Sequence, residues 1–351
     1  MTTGKKYVNL LKTIVVSMVI GAIIMLLLGH NPLEAYAELF KGAFVGKLNF
    51  GTTLQKFVPL LLTALAFAIS SRAGAFNVGV EGELYLGAMA AAWVGSAATG
   101  LPAPLLMLLC FLAAMIAGGA WAYIPGKLKA GLGVNEVCVT ILLNYVAKYI
   151  TSFLVNGPLS AKTGVPQTVP VPEGIRLPQL LPPSQANAGL FIAIIVTIAV
   201  FWLMNKSTWG YKFTTVGLNP KHAEYVGIDP KQQLIRSMII SGVLGGIAGA
   251  IEVLGIYGYF LDNFSTGIAM DGMLVALIVK NDINMIPIMS FFMAVLKSGS
   301  LGMERNTGIP KAVVDTIIAI FIIFATMEAI LEWRRRKKTP ASPADNAATA
   351  S

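Results

Sequence analysis

The sequence predicts an all-α protein that crosses a membrane many times. Hydrophobic residues make up 56% of the 351 residues and charged residues only 12%, against roughly 25% charged residues in an average soluble domain. The mean hydropathy of +0.72 exceeds what one globular core hides, so lipid must solvate much of the surface. The net charge of +9 does not indicate nucleic-acid binding, because most of the cations flank apolar segments.

Ten apolar segments are predicted to enter the bilayer, since about 20 helical residues span its hydrocarbon core and fewer suffice for partial entry. They are 13–28, 57–71, 84–100, 104–124, 134–155, 189–204, 234–259, 268–280, 283–300 and 312–331. The short segment 268–280 is expected to be a half-helix. With the N-terminus inside, most Lys and Arg residues fall in cytoplasmic loops. Both termini are therefore predicted to be cytoplasmic, and eight spans fit this orientation as well as ten.

The domain organisation follows from these segments. A cytoplasmic N-terminus at 1–12 precedes a transmembrane domain at 13–333, which is followed by a cytoplasmic tail at 334–351. The tail begins with five basic residues, as is typical beside a cytoplasmic membrane face. It then lacks any apolar pattern, which predicts disorder.

Two loops within the transmembrane domain are long enough to meet partner proteins. The outer loop 156–188 contains seven prolines, a composition that favours extended, semi-rigid chain. The inner loop 205–233 has mixed charge and contains a short run compatible with a helix, with Asn219 as its expected N-cap.

No catalytic or metal-binding set stands out in the sequence. His30 and His222 lie in loops predicted on opposite sides, and Cys110 and Cys138 match no ligand spacing. The sequence also lacks the motif of the phosphate-binding loop of a nucleotide hydrolase. We therefore expect no enzyme activity, no metal and no cofactor in this chain, so that energy for transport comes from a separate ATPase or an ion gradient.

Polar side chains at membrane depth are costly, and by default they mark a solute pathway or a buried structural pair. The pathway candidates are Asn77, Glu81, Asn135, Glu136, Asn144, Glu252 and Asp271. In the run 75–87, glycines are expected to interrupt the helix. The alternative is that this run is a cytoplasmic loop. The polar face of segment 134–155 is predicted to look inward, where it would line a route or bond to other helices only. The glycines before Glu252 favour close helix packing over gating.

Four runs resemble the membrane subunits of ABC importers for nucleosides, which are related to ribose-type sugar and branched-chain amino acid permeases. They are AFNVGVEGELYLG at 75–87, GVNEVCVTILLNYVA at 133–147, VGLNPKHAEYVGI at 216–228 and SGVLGGIAGAIEVLG at 241–255. The resemblance extends from about residue 54 to residue 332. Glu83 departs from it, because an uncharged residue is expected at this position.

The resemblance implies a permease subunit of an ATP-driven importer in a bacterial cytoplasmic membrane, with ATP bound by other subunits. The implied partners are cytoplasmic ATPases, a second homologous or identical permease, and an extracellular solute-binding lipoprotein. In the inner loop, the residues implied to form a coupling helix against the ATPase are Gly217, Asn219, Pro220, Ala223, Tyr225 and Gly227.

Two other functions remain open at this point. In a proton-coupled secondary transporter, Glu81, Glu136 or Glu252 would carry a proton inward with the solute. A passive channel or membrane scaffold would need neither ATP nor protons, but the sequence shows no selectivity ring.

Overall fold

The computed structural model describes residues 3–27, 29–98, 100–310 and 312–320. These residues form helices joined by loops, and within them the only β-structure is isolated bridges. The predicted tail and the end of the last apolar segment lie outside the described residues. The chain divides into two compact units, one over residues 38–302 and one made of the described residues before and after that range.

The helices agree with most of the predicted segments, and several extend beyond them. Their bounds are α1 (Thr3–Leu27), α2 (Pro32–Phe44), α3 (Lys47–Arg72), α4 (Val80–Ala97), α5 (Ala103–Leu132), α6 (Glu136–Asn156), α7 (Gly189–Lys206), α8 (Thr208–Leu218), α9 (Pro220–Tyr225), α10 (Pro230–Ile251), α11 (Ile268–Ile278) and α12 (Ile286–Thr307). α10 continues directly into a π-helical stretch, Glu252–Tyr257. Residues 312–320 are also helical.

Among the described residues, six helices are long and apolar enough to cross a membrane: α3, α5, α6, α7, α12, and α10 with its π-helical stretch. The pair α1 and α2 adds a seventh if it forms one bent span. The protein is therefore polytopic and helical, as predicted. The predicted segments omit α2, because Glu34, Glu38 and Lys41 interrupt its apolar residues.

The larger unit is organised around α3, α4 and α10. α10 packs against α3, α4 and α5, and both α3 and α10 are mostly buried. α5, α6 and α7 lie outside this centre and leave most of their apolar residues uncovered by the chain. Uncovered apolar helix faces of this extent are suited to contact with lipid or another membrane subunit.

Glycines allow the central helices to approach closely. A Cβ atom at Gly246 would overlap the carbonyl oxygen of Ala114, and one at Gly242 would overlap the carbonyl oxygen of Gly118. Only a residue without a side chain fits at these two positions, because the backbones of α5 and α10 are in direct contact. The predicted packing role of these glycines is confirmed.

The helix break in the run 75–87 lies at residues 73–79, between α3 and α4. The prediction that glycines interrupt the helix along this run was therefore wrong for Gly82 and Gly87, which lie within α4. α4 begins at Val80, earlier than predicted. As a result, Glu81 and Glu83 lie in the first turn of a helix.

The proline-rich loop 156–188 is anchored on the end of α10. The backbone N–H of Leu177 donates to the carbonyl oxygen of Leu254 at 2.9 Å, within the π-helical stretch. The N–H of Thr168 donates to the carbonyl oxygen of Phe260 at 3.0 Å. These bonds hold the loop and the segment that leads into α11 together.

Candidate functional site

A cavity of about 370 Å³ lies between the start of α4, the middle of α6 and the segment that enters α11. Its volume lies within the range of about 300–1,000 Å³ that is typical of small-molecule sites. The lining residues with polar or aromatic side chains are Glu81, Tyr85, Asn144, Tyr145, Lys148, Ser265 and Thr266. Aromatic rings combined with a few polar groups are suited to hold and orient a small polar solute.

Glu81 connects α4 to the start of α11. Its carboxylate accepts a hydrogen bond from the backbone N–H of Ala269 at 2.8 Å and another from the hydroxyl of Ser265. The residue before α11, Gly267, has no side chain to cap the helix. The carboxylate therefore caps α11 from another helix, where the partial positive charge of a helix N-terminus stabilises it. Glu81 thus fixes one wall of the cavity.

Asn144 fastens α6 to the beginning of α4. Its side-chain oxygen accepts from the backbone N–H of Gly82 at 2.8 Å, and its side-chain nitrogen donates to the carbonyl oxygen of Val78 at 2.9 Å. Both bonds satisfy backbone groups near the broken region, where an unpaired group would be costly. Thr140 and Thr151 on the same helix are buried, so this part of the polar face of α6 looks inward, as predicted. Tyr145, which was expected on the same inward face, is 58% exposed.

Asn77 belongs to a buried network beside the cavity and does not border it. Its side-chain nitrogen donates to Glu83 at 2.8 Å and to the hydroxyl of Ser241 at 2.9 Å. Its side-chain oxygen accepts from the N–H of Gly79 at 2.9 Å. These bonds tie the turn before α4 to α10. Glu83, the residue that departs from the family pattern, thus has a hydrogen-bond partner in Asn77.

Asn135 and Glu136 lie at the first turn of α6, away from the cavity. The side chain of Asn135 accepts from the backbone N–H of Val137 at 3.0 Å and so caps the helix. Glu136 forms an ion pair with Lys129 at 2.8 Å and accepts a weak hydrogen bond from the N–H of Phe76 at 3.4 Å. Both residues therefore have structural contacts at the junction of α5 and α6.

Glu252 and Asp271 also lie outside the cavity lining. Glu252 is buried at the start of the π-helical stretch, with 4% of its surface exposed. Asp271 forms an ion pair with Lys297 of α12, and both side chains are about one quarter exposed. Of the seven predicted pathway residues, the structure thus brings Glu81 and Asn144 together at one cavity.

The loop 205–233 forms the predicted short helix, α9. The side chain of Asn219 caps it by accepting from the N–H of His222 at 3.1 Å, and Pro220 is its first residue. Ala223 is fully buried against Val216 and Ile228.

Two residues at helix ends in this loop are uncovered: Tyr225, the last residue of α9, is 89% exposed, and Leu218, the last residue of α8, is 82% exposed. An aromatic and a leucine side chain so exposed outside the spans indicate a contact surface.

Gly217 and Gly227 shape this loop in different ways. A Cβ atom at Gly217 would overlap the carbonyl oxygen of Arg72, so α8 lies directly against the end of α3. Gly227 has φ of +78°, a conformation that glycine adopts readily, where the chain turns away from α9. Arg72 in turn donates to the carbonyl oxygen of Asn281 after α11 at 2.9 Å.

Several cavity residues were not among the predicted pathway residues. Lys148 lies one helical turn after Asn144, so the helical repeat of α6 would have placed it on the same face. Tyr85 and Ser265 meet through a hydrogen bond of 3.0 Å from the tyrosine hydroxyl to the serine carbonyl oxygen. No sequence pattern links two residues that are so far apart in the chain.

Comparisons with known proteins agree on one family. A family profile described as branched-chain amino acid transport system / permease component matches residues 49–326. A guanosine ABC transporter permease of Bacillus subtilis is 36% identical over 315 residues, which cover 89% of this chain and 90% of that protein. A nucleoside ABC transporter permease of Lactococcus lactis is 34% identical, with 91% and 90% covered. A glucose ABC transporter permease of Haloferax volcanii is 32% identical, with 89% and 85% covered. No solved structure matches the chain.

Proposed function

Because the chain belongs to the family of branched-chain amino acid transport system permease components, we propose that it forms the membrane pathway by which a nucleoside enters the cell. The chain is a multi-pass permease subunit of an ABC transporter in the cytoplasmic membrane. Relatives that are named for guanosine and for nucleosides support a nucleoside as the solute. The relative named for glucose indicates that a sugar-containing solute suits this family.

The cavity beside Glu81 is the proposed solute site, and it is the observation that carries the proposal. Tyr145 is 58% exposed on the α6 side, so its ring is available to stack on a base. Lys148 and the exposed Thr266 offer polar groups to ribose hydroxyls or to base edges. A nucleoside combines these two kinds of surface in one small molecule.

The proposed energy source is ATP hydrolysis by separate cytoplasmic subunits, so this chain needs no ATPase site or cofactor of its own. We place α9 in a groove of such a subunit, with Tyr225 and Leu218 as the contacting side chains. The direct contact between Gly217 and Arg72 would pass a movement of this loop to the end of α3.

The proposed arrangement in the membrane has both termini in the cytoplasm and as many as ten segments within the bilayer. In this orientation the loop 156–188 faces outward, where a solute-binding lipoprotein would dock. The uncovered apolar faces of α6 and α7 leave room for a second permease, homologous or identical to this one.

The test is uptake of radiolabelled guanosine by proteoliposomes that contain this chain with its ATPase, second permease and binding protein. We expect uptake to require ATP inside the vesicles and to be insensitive to a proton gradient. Met270→Trp, which fills the cavity from a side chain that is 45% exposed, should abolish uptake. The matched variant Ile288→Trp, at a site 52% exposed on α12, should not. Uptake driven by protons through this chain alone would instead support a secondary transporter.

A further inference from the structure

Resting on the solute site proposed above, we propose that Glu81 sets the charge selectivity of the cavity. It occupies the anion-binding end of α11, so that neutral nucleosides are accepted and nucleoside phosphates are rejected. A solute that enters the cavity therefore meets the N-terminus of α11 with a carboxylate of the chain already bound to it.

The start of α11 has the features of an anion site. Backbone N–H groups at a helix N-terminus point outward and carry partial positive charge, which favours phosphate and carboxylate groups. Ser265, Thr266 and Gly267, which precede α11, all line the cavity. The carboxylate of Glu81 takes the place of a ligand there, because it accepts from the N–H of Ala269 and from the hydroxyl of Ser265.

The charges around the cavity are balanced only while Glu81 is present. Glu81 and Lys148 are the acidic and basic side chains in its lining. Asp271, in the first turn of α11, forms an ion pair with Lys297. Removing the charge of Glu81 would leave Lys148 and the positive end of α11 facing the solute. The cavity would then attract a phosphate that the native carboxylate repels.

The expected change in selectivity is large enough to measure. A unit charge about 6 Å from the phosphate, at an effective dielectric constant of about 20, changes its binding by about a hundredfold. Guanosine itself carries no charge, so its binding should change by much less. The ratio between the two affinities reports charge selectivity separately from general damage to the site.

The experiment uses thiol protection in the purified transporter without its binding protein. Cys138 is exposed and Cys110 is buried, so Cys138→Ser is introduced first as the background. Thr266→Cys then places a reporter at an exposed position of the cavity lining. The rate of maleimide labelling is measured against increasing guanosine and, separately, guanosine 5′-monophosphate. Each half-protecting concentration gives an apparent affinity.

We expect guanosine to protect the reporter and the monophosphate not to protect it while Glu81 is present. Glu81→Gln should lower the half-protecting concentration of the monophosphate about a hundredfold, and adding Lys148→Met should reverse most of this gain. Met270→Lys adds a positive charge without touching the helix cap, so it should produce the same gain even if Glu81→Gln fails to assemble. Glu83→Gln, on the same helix but outside the cavity, should produce none.

Two results would overturn the inference in distinguishable ways. If guanosine protects but monophosphate protection is the same in all variants, Glu81 does not control charge selectivity and the solute site stands. If guanosine fails to protect the reporter while Glu81 is present, the solute site itself is wrong, and the inference falls with it.

Discussion

Truncation of Tyr225 should separate docking of the ATPase from folding of the permease. A tyrosine presents about 200 Å² of surface, and Tyr225 is 89% exposed, so about 180 Å² is available to a partner. At about 25 cal/mol per Å², its burial contributes at most about 4.5 kcal/mol. The conformational entropy that the side chain loses on binding reduces this value. A loss of about 2 kcal/mol of binding free energy on truncation is typical of an interface anchor. Tyr225→Ala should therefore raise the Kd for the ATPase subunit about 30-fold.

The assay is binding of the purified ATPase subunit to the permease in nanodiscs, with thermal unfolding measured in parallel. Tyr225→Ala should leave the melting temperature nearly unchanged, because an exposed side chain contributes little to folding. Tyr149→Ala on α6, at a site that is 70% exposed, is the matched control and should bind the ATPase normally. Unchanged ATPase binding by Tyr225→Ala would refute the assignment of α9 as the docking helix.

Three further predictions concern folding of the membrane unit and are measured by thermal unfolding in detergent. Gly246→Leu should prevent assembly of the bundle or lower its stability by more than about 3 kcal/mol, since its side chain would overlap the backbone at Ala114; a normal melting temperature would contradict the packing. Asn144→Ala should lower the stability by about 2 kcal/mol, because the carbonyl oxygen of Val78 in the broken region and the N–H of Gly82 in α4 lose this partner; unchanged stability would show that water replaces it. Lys297→Met should lower the free energy of unfolding by about 2 kcal/mol, because it removes the ion pair with Asp271. Adding Asp271→Asn should restore part of this stability. A double variant that is no more stable than Lys297→Met would exclude the ion pair as the cause.

The sequence predicted the architecture well where hydropathy alone decides it. α7 is long and apolar, and composition locates both of its ends within two residues. α5 begins one residue from its predicted start but extends eight residues beyond its predicted end, because its last turns carry Lys127 and Lys129. α4 was harder to place, because its two glutamates lower the hydropathy of a helix that is nevertheless mostly buried. α2 was missed for a related reason, since charged residues interrupt its apolar face.

The candidate site was only partly predictable, because burial and partners decide what a polar residue does. Glu81 and Asn77 look alike as polar residues at membrane depth, yet one lines the cavity and the other is sealed in a network. Ser265 contributes through a contact between segments that are distant in the chain. In α9, the sequence located the helix and its cap, but it did not show that Ala223 faces inward while Tyr225 faces out.

The central claim is that the cavity between α4, α6 and α11 lies on the solute route. The most direct test is an electron cryomicroscopy structure of the assembled transporter, trapped with guanosine before ATP hydrolysis. We expect guanosine density against Tyr145 and Thr266, next to the carboxylate of Glu81 at the start of α11. Guanosine bound elsewhere, with this cavity filled by lipid or closed by neighbouring helices, would contradict it.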